Sequence, residues 1–193
     1  MDLTEGTHYE KIHRAKINMM WVAMISMFMT FAGLTSAYIV SNTRADWVSD
    51  FQFPTAFYYS LGTVITSSIV FYLVIKFVKK NDLSTVLKLI ILNVILGGTF
   101  VFLQFSGFEE IVSQGYYPTG SESTIVTSFI YAIVFVHLLH IFGGLIVLCV
   151  ILFNQIRGKY SSENYLGLKL ASMYWHFVDF LWVYLFCFLY FFR

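Results

Sequence analysis

The sequence predicts an all-α polytopic membrane protein, a bundle of five transmembrane helices, and three observations predict it. The 193 residues are 58% hydrophobic and 20% aromatic but only 12% charged, too little charge to cover a water-soluble domain. Five apolar runs reach about 20 residues, the length that crosses a hydrocarbon core. No run alternates with period two, and open sheet edges cannot sit in lipid, so the spans are helices.

The first run, Ile17–Val40, follows the polar, acidic segment MDLTEGTHYE. That segment is unlike a secretory signal, and no small-residue cleavage pattern follows the run, so it is expected to stay as a signal anchor. The second run is Phe57–Phe77 and the third Val86–Phe105. The fourth and fifth, Ile125–Phe153 and Leu166–Phe192, are long enough to tilt or to project beyond the bilayer. Gly33, Gly62, Gly97, Gly98, Gly143 and Gly144 lie within these runs, where small residues let helices approach closely. No linker, low-complexity stretch or internal repeat divides the chain, so residues 1–193 are expected to form one domain.

The basic residues sort by side. Lys11, Arg14 and Lys16 precede the first span, Lys76, Lys79, Lys80 and Lys88 are expected in the second-to-third loop, and Arg157, Lys159 and Lys169 in the fourth-to-fifth. Only Arg44 and Arg193 of the 12 basic residues fall on the other side. The positive-inside rule then puts the N-terminus in the cytoplasm and the C-terminus outside. The segment Phe108–Ser123 reads as an outer loop with Glu109, Glu110 and Glu122 and no Lys or Arg. Trp47, Tyr116 and Tyr117 suit an aromatic belt at the outer surface. A net charge of +1 gives no footprint for nucleic acid. Cys149 and Cys187 lie in apolar runs without a CxxC spacing and are expected to be small buried hydrophobes.

Four ionisable residues lie deep in the spans: His137, His140, His176 and Asp179. Such residues are costly in lipid and point to function by default. His137 and His140, in HLLHIFGG, are three apart and share a helix face, as do His176 and Asp179. Asp179 must face protein and is expected to accept hydrogen bonds from a histidine or a neighbouring chain. Three histidines and a carboxylate would suit a metal, and His176 opposite His137 or His140 is the one arrangement that would suit a haem. A structural polar network between the fourth and fifth helices fits the spacing and the adjacent glycine pair better. A proton relay or a lipid head-group contact is the remaining reading. The chain has no phosphate loop, nucleophile–base pair, carboxylate cluster or run of intramembrane charge of the kind transporters use. The residues alone thus describe a helical membrane subunit with no redox centre of its own. A transporter and a free-standing haem-binding protein are the rivals from other classes.

The final span, YWHFVDFLWVYLFCFLY (Tyr174–Tyr190), strongly resembles the C-terminal signature of subunit III of the haem–copper terminal oxidases, the cytochrome c oxidase subunit 3 family. HLLHIFGG resembles the family's H-x-x-H motif followed by glycine. LGGTFVFLQ (Leu96–Gln104), LGTVITSS (Leu61–Ser68) and FAGLTSAY (Phe31–Tyr38) resemble further runs, in the family's order and across all five spans. The resemblance implies the short five-helix bacterial form. It implies a non-catalytic subunit of an aa3-type oxidase that reduces oxygen to water and translocates protons across the bacterial plasma membrane. Haem and copper are then in partner subunits and none is in this chain. The implied partners are subunit I, other subunits including a subunit II, and phospholipids, with room for a larger respiratory supercomplex. A subunit III-like chain of a quinol oxidase or nitric oxide reductase is the nearest alternative, because donor choice resides in other chains.

On this reading His137, His140, His176 and Asp179 organise the contact between helices four and five. Arg14, Lys16 and Arg157 are candidate lipid head-group contacts, and His8 and His13 a candidate proton-collecting surface. Two departures from the family pattern stand out. Ser26–Met27 occupies a place where a serine is commonly followed by a carboxylate, and Asn154 a place where longer members have Arg, with Arg157 nearby.

Overall fold

The structure, a computed structural model, describes residues 8–43, 52–118, 120 and 123–192. Arg44, Trp47, Glu122 and Arg193 lie outside the described residues. The described residues form five α-helices and no strand: α1 (His8–Ser41), α2 (Thr55–Lys79), α3 (Leu83–Ser113), α4 (Ile125–Ile156) and α5 (Leu166–Phe191). All five are long and apolar enough to cross a membrane. At 1.5 Å per residue, even the 25 residues of α2 exceed a hydrocarbon core of roughly 30 Å.

Two helices outrun the apolar runs that mark them. α1 begins at His8, and α3 continues through Glu109 and Glu110 to Ser113, where the sequence reads as loop. Lys76, Lys79, Lys88 and Lys169 likewise sit on helix ends and not in loops. Hydropathy marks where a helix meets lipid, whereas the helix persists for as long as its backbone bonds and end groups are satisfied.

Those ends are satisfied locally or by a neighbour. Asp82 caps α3 by accepting from the Thr85 amide at 3.2 Å. Hydrogen bonds from Thr85, helped by the charge on Lys88, hold the Asp82 carboxyl below its ordinary range. Thr124 and Thr127 form a reciprocal capping box at the start of α4. α2 has no side-chain cap of its own. Glu110 of α3 supplies one, accepting from the Thr55 and Ala56 amides and the Thr55 hydroxyl. A carboxylate there answers both the orphan N–H groups and the positive end of the helix dipole. Gly158, at φ 67°, follows the α4 C-cap in the left-handed conformation that glycine adopts without strain.

α5 is the most buried of the five helices. It packs against α1, α2 and α4, and α3 closes the ring between α2 and α4, while α1 touches only α4 and α5. Two apolar cores result. One gathers Phe31, Tyr38, Phe57, Phe100, Ile130 and Trp182 from all five helices. The other, at the basic end, gathers Phe71, Val86, Ile90, Leu148 and Trp175 from α2 to α5 without α1. Cys149 and Cys187 are exposed on the outer helix faces, contrary to the expectation of burial. Lipid is as apolar as a protein core, so a small apolar side chain gains little by turning inward.

A polar layer at mid-membrane

The helix midpoints bring a set of polar side chains to one depth. Ser67 and Ser68 lie near the middle of α2, Asn93 and Gly97 near that of α3, His137 and His140 near that of α4, and His176 and Asp179 near that of α5. In water such groups would be unremarkable. In hydrocarbon each lacks an alternative partner, so where its hydrogen bonds go decides what it does.

His137 is fully buried, and its ring stacks on Trp182 of α5 with centroids 5.1 Å apart. Phe100 of α3 and Phe31 of α1 close on it edge-on at 5.8 and 6.1 Å. Neither ring nitrogen has a hydrogen-bond partner among the described residues. His140, one turn on, turns toward α1, with its ring 5.6 Å from Phe31. Its Nδ1 lies 2.7 Å from the Val136 carbonyl, which can only accept, so Nδ1 carries the proton. The Tyr174 hydroxyl donates to the His140 carbonyl at 2.9 Å. The two histidines therefore share a face and the Phe31 ring but no hydrogen-bond partner.

His176 points to α2. Its Nδ1 is 2.5 Å from the Ser68 hydroxyl, and its ring packs near Phe71. Asp179, 3% exposed, lies one turn along α5 on the same side. Its Oδ2 has no partner, and no hydrogen bond among the described residues joins it to any of the three histidines. The histidine–aspartate pair thus belongs to the α2–α5 contact, and only His137 spans the α4–α5 contact where the sequence suggested all four. The reason is angular: residues 176 and 179 sit on the side of α5 that turns to Ser68 and Val64 of α2.

Beside the His176–Ser68 bond, further bonds that join helices come from residues the sequence reading did not single out. The Trp175 indole N–H donates to the Ser67 hydroxyl at 2.7 Å, and Ser67 donates to Asn93 Oδ1 at 2.6 Å, linking α5, α2 and α3. Trp182 repeats the device, donating to Ser60 at 3.1 Å. The Trp175 ring is seated between two glycines. A Cβ on Gly144 would lie 2.9 Å from it, and one on Gly97 3.1 Å. Gly98 has nothing within 4 Å, and Gly143 meets only the Tyr174 hydroxyl at 3.6 Å. One glycine of each pair makes the slot. A usable signal was present in α3: Asn93, Gly97, Phe100, Gln104 and Gly107 recur at helical spacing and are all buried.

The basic end carries the candidate surface residues. Lys16 and Arg157 are exposed, and Arg14 and His13 are partly buried on α1. His8 opens α1, and its side chain lies outside the described set. The Arg157 guanidinium lies 4.0 Å over the Phe153 ring. Phe153 ends an apolar groove of about 460 Å³ along α4 that begins at Phe142. Among the described residues no group of three or more His, Cys, Asp or Glu is placed to hold a metal.

The similarity to known proteins follows this architecture. Residues 3–193 match the family model of cytochrome c oxidase subunit III. The chain is 28% identical over 173 residues to cytochrome c oxidase subunit 3 of Thermostichus vulcanus, covering 88% of this chain and 83% of the relative. It is 29% identical over 180 residues to a probable cytochrome c oxidase subunit 3 of Nocardia farcinica, covering 90% and 85%. Against cytochrome c oxidase subunit 3 of the fish Tetraodon nigroviridis it is 35% identical over 102 residues, 51% of this chain but 36% of that longer protein.

Proposed function

The chain belongs to the cytochrome c oxidase subunit III family, and on that premise we propose that it is the non-catalytic subunit III of an aa3-type haem–copper oxidase. The observation that carries the reading is a family match that runs through all five helices, from residue 3 to residue 193. The oxidase would reduce oxygen to water and move protons outward across a bacterial plasma membrane. Haem and copper belong to partner subunits. The His137 ring supports that division, because three aromatic rings enclose it and a porphyrin would find room only by dismantling the core.

The chain's own contribution is then mechanical and electrostatic. Trp175 and Trp182 lock α5 to α2, α3 and α4, giving a rigid body that packs on subunit I. The α4 groove suits an acyl chain, and Arg157 at its end suits an anionic head group, with Arg14 and Lys16 at the same end of the bundle. The basic end faces the cytoplasm by the positive-inside rule, and His13 with His8 there would collect protons for uptake by the complex.

A mild-detergent pull-down of the tagged chain from its native membrane tests this, with a visible difference spectrum and identification of co-purifying chains by mass spectrometry. Haem absorbance arriving with a large multi-helix partner, and lost when this chain is purified alone, is the expected result. A chain that purifies alone and colourless overturns the reading.

A further inference from the structure

Asp179 is left out of the bonds that join the helices. It is 3% exposed, and its Oδ2 has no partner among the described residues. That oxygen is closed to the outside, so whatever bonds it must sit within the bundle. Beside Asp179 is a small interior cavity where α2, α3, α4 and α5 meet at mid-membrane, walled by Thr63, Ser67, Gly97, Phe100, Ile141 and Trp175. Asp179 lines both this cavity and the groove that opens outward between α2 and α5, and so stands between the two.

The polar groups on the cavity wall cannot satisfy Asp179 by themselves. Ser67 gives its proton to Asn93 Oδ1 and takes one from the Trp175 indole, which leaves it one lone pair and nothing to donate. Thr63 gives its proton to the Tyr59 carbonyl at 3.0 Å, so it too can only accept. No basic side chain lines the cavity. A carboxyl group needs hydrogen-bond partners in either protonation state, and hydrocarbon offers none. The group that serves all three brings two protons and spare lone pairs, as a water does. The cavity offers about 10 Å³, at the lower edge of the roughly 10–15 Å³ that a single water needs.

We propose that this cavity is a built-in site for one structural water molecule, which hydrogen-bonds Asp179 Oδ2 and Ser67 Oγ and has Thr63 as its third partner. The cavity surface is carbon as the side chains stand. Seating the water therefore takes a turn of the Asp179 carboxyl about χ2, a soft torsion. The water extends the chain from Trp175 through Ser67 to Asn93 as far as Asp179, so that α5, α2 and α3 share one polar string at mid-membrane. A buried water with about three bonds to otherwise unsatisfied groups is part of a protein's structure and costly to remove. Asp179 is then a water-holding residue of the bundle interior. This assignment does not depend on the subunit III reading.

The test is a density map of the full chain, in the complex it purifies with, at a resolution that shows ordered water. The expected result is a single peak in the cavity within hydrogen-bond distance of both Asp179 and Ser67. A dry cavity overturns the proposal, and so does Asp179 turned to bond Ser67 or any other side chain directly. A peak that touches Ser67 but not Asp179 overturns it as well. Two variants sharpen the result. Asp179→Asn, which can both donate and accept, should keep the peak, and Asp179→Leu should lose it while the Trp175–Ser67 bond stays in place. A peak that survives in Asp179→Leu would mean that the carboxyl does not hold the water. Where Asp179→Leu fails to fold, the native and Asp179→Asn maps decide the matter.

Discussion

α1 and α5 are both long, apolar membrane helices, yet 11% of the apolar window of α1 is buried inside the molecule against 50% of that of α5. Among the described residues α1 buries Met24, Phe31, Thr35 and Tyr38, a seam that recurs every one or two turns, and nothing before Met24. α5 buries Ser172, Trp175, Asp179 and Trp182 along with Leu168, Leu181, Leu185 and Leu189, and three other helices pack around it. Mean apolarity does not separate the two, because in a bilayer an apolar side chain is at home facing either way. What separates them is the kind of residue on the buried face. α5 carries indoles, hydroxyls and a carboxyl that need partners, opposite glycines that make room for them. Among the described residues α1 offers hydroxyl ties instead, Thr35 with the Tyr184 hydroxyl at 3.0 Å and the Tyr38 hydroxyl donating to the Phe192 carbonyl at 3.2 Å.

The contrast breaks first at Trp175. Trp175→Ala removes the ring from the Gly97–Gly144 slot and the bond to Ser67, and by the usual cost of emptying a large aromatic site should destabilise the bundle by about 3–5 kcal/mol. Unfolding in a detergent titration reads this. A loss under about 1 kcal/mol would deny α5 its central part. Within α1, Phe31→Ala should cost about 3 kcal/mol, because Phe31 is fully buried between His137 and His140. Trp21→Ala, at a residue 54% exposed, should stay within about 0.5 kcal/mol in the isolated chain. Equal losses at the two sites would mean that the first half of α1 packs within the chain after all.

The glycine pairs sharpen the comparison at finer scale. Gly144→Ala drives a methyl into the Trp175 ring and should cost about 1–3 kcal/mol, while Gly143→Ala next to it should be neutral or slightly stabilising. The smallest effect belongs to the α3 cap. The Asp82 carboxyl is held below its ordinary value in the folded chain, so it adds stability at pH values above that ordinary value. The contribution is lost as pH falls through the depressed folded value. Asp82→Asn, still a good cap, should flatten that acid limb of a pH–stability curve while leaving neutral-pH stability nearly unchanged.

Much of the architecture was legible because the bilayer simplifies the question. Five apolar runs gave five helices, and only their ends moved, at His8 and Ser113, where capping and not hydropathy sets the boundary. The candidate site was legible in its members and not in its pairings. His137, His140, His176 and Asp179 are at one depth, as their positions in the runs imply. Their partners depend on helix rotation, which a three-residue spacing leaves open. Asn93 and Ser67 went unnoticed because neither is ionisable, although their bond joins α2 to α3.

The sequence by itself determined the number of spans, the gathering of basic residues at one end of the bundle and the depth of each polar group, because those follow from position along the chain and from the cost of charge in lipid. Tertiary structure alone decided which face of each helix is interior. It turned His176 to α2, caged His137 in aromatic rings, sent Cys149 and Cys187 outward, and chose Gly97 and Gly144 over their neighbours. The physical reason is one: hydrocarbon outside and hydrocarbon inside offer an apolar side chain the same solvent, so only shape and hydrogen bonding can tell a helix which way to turn.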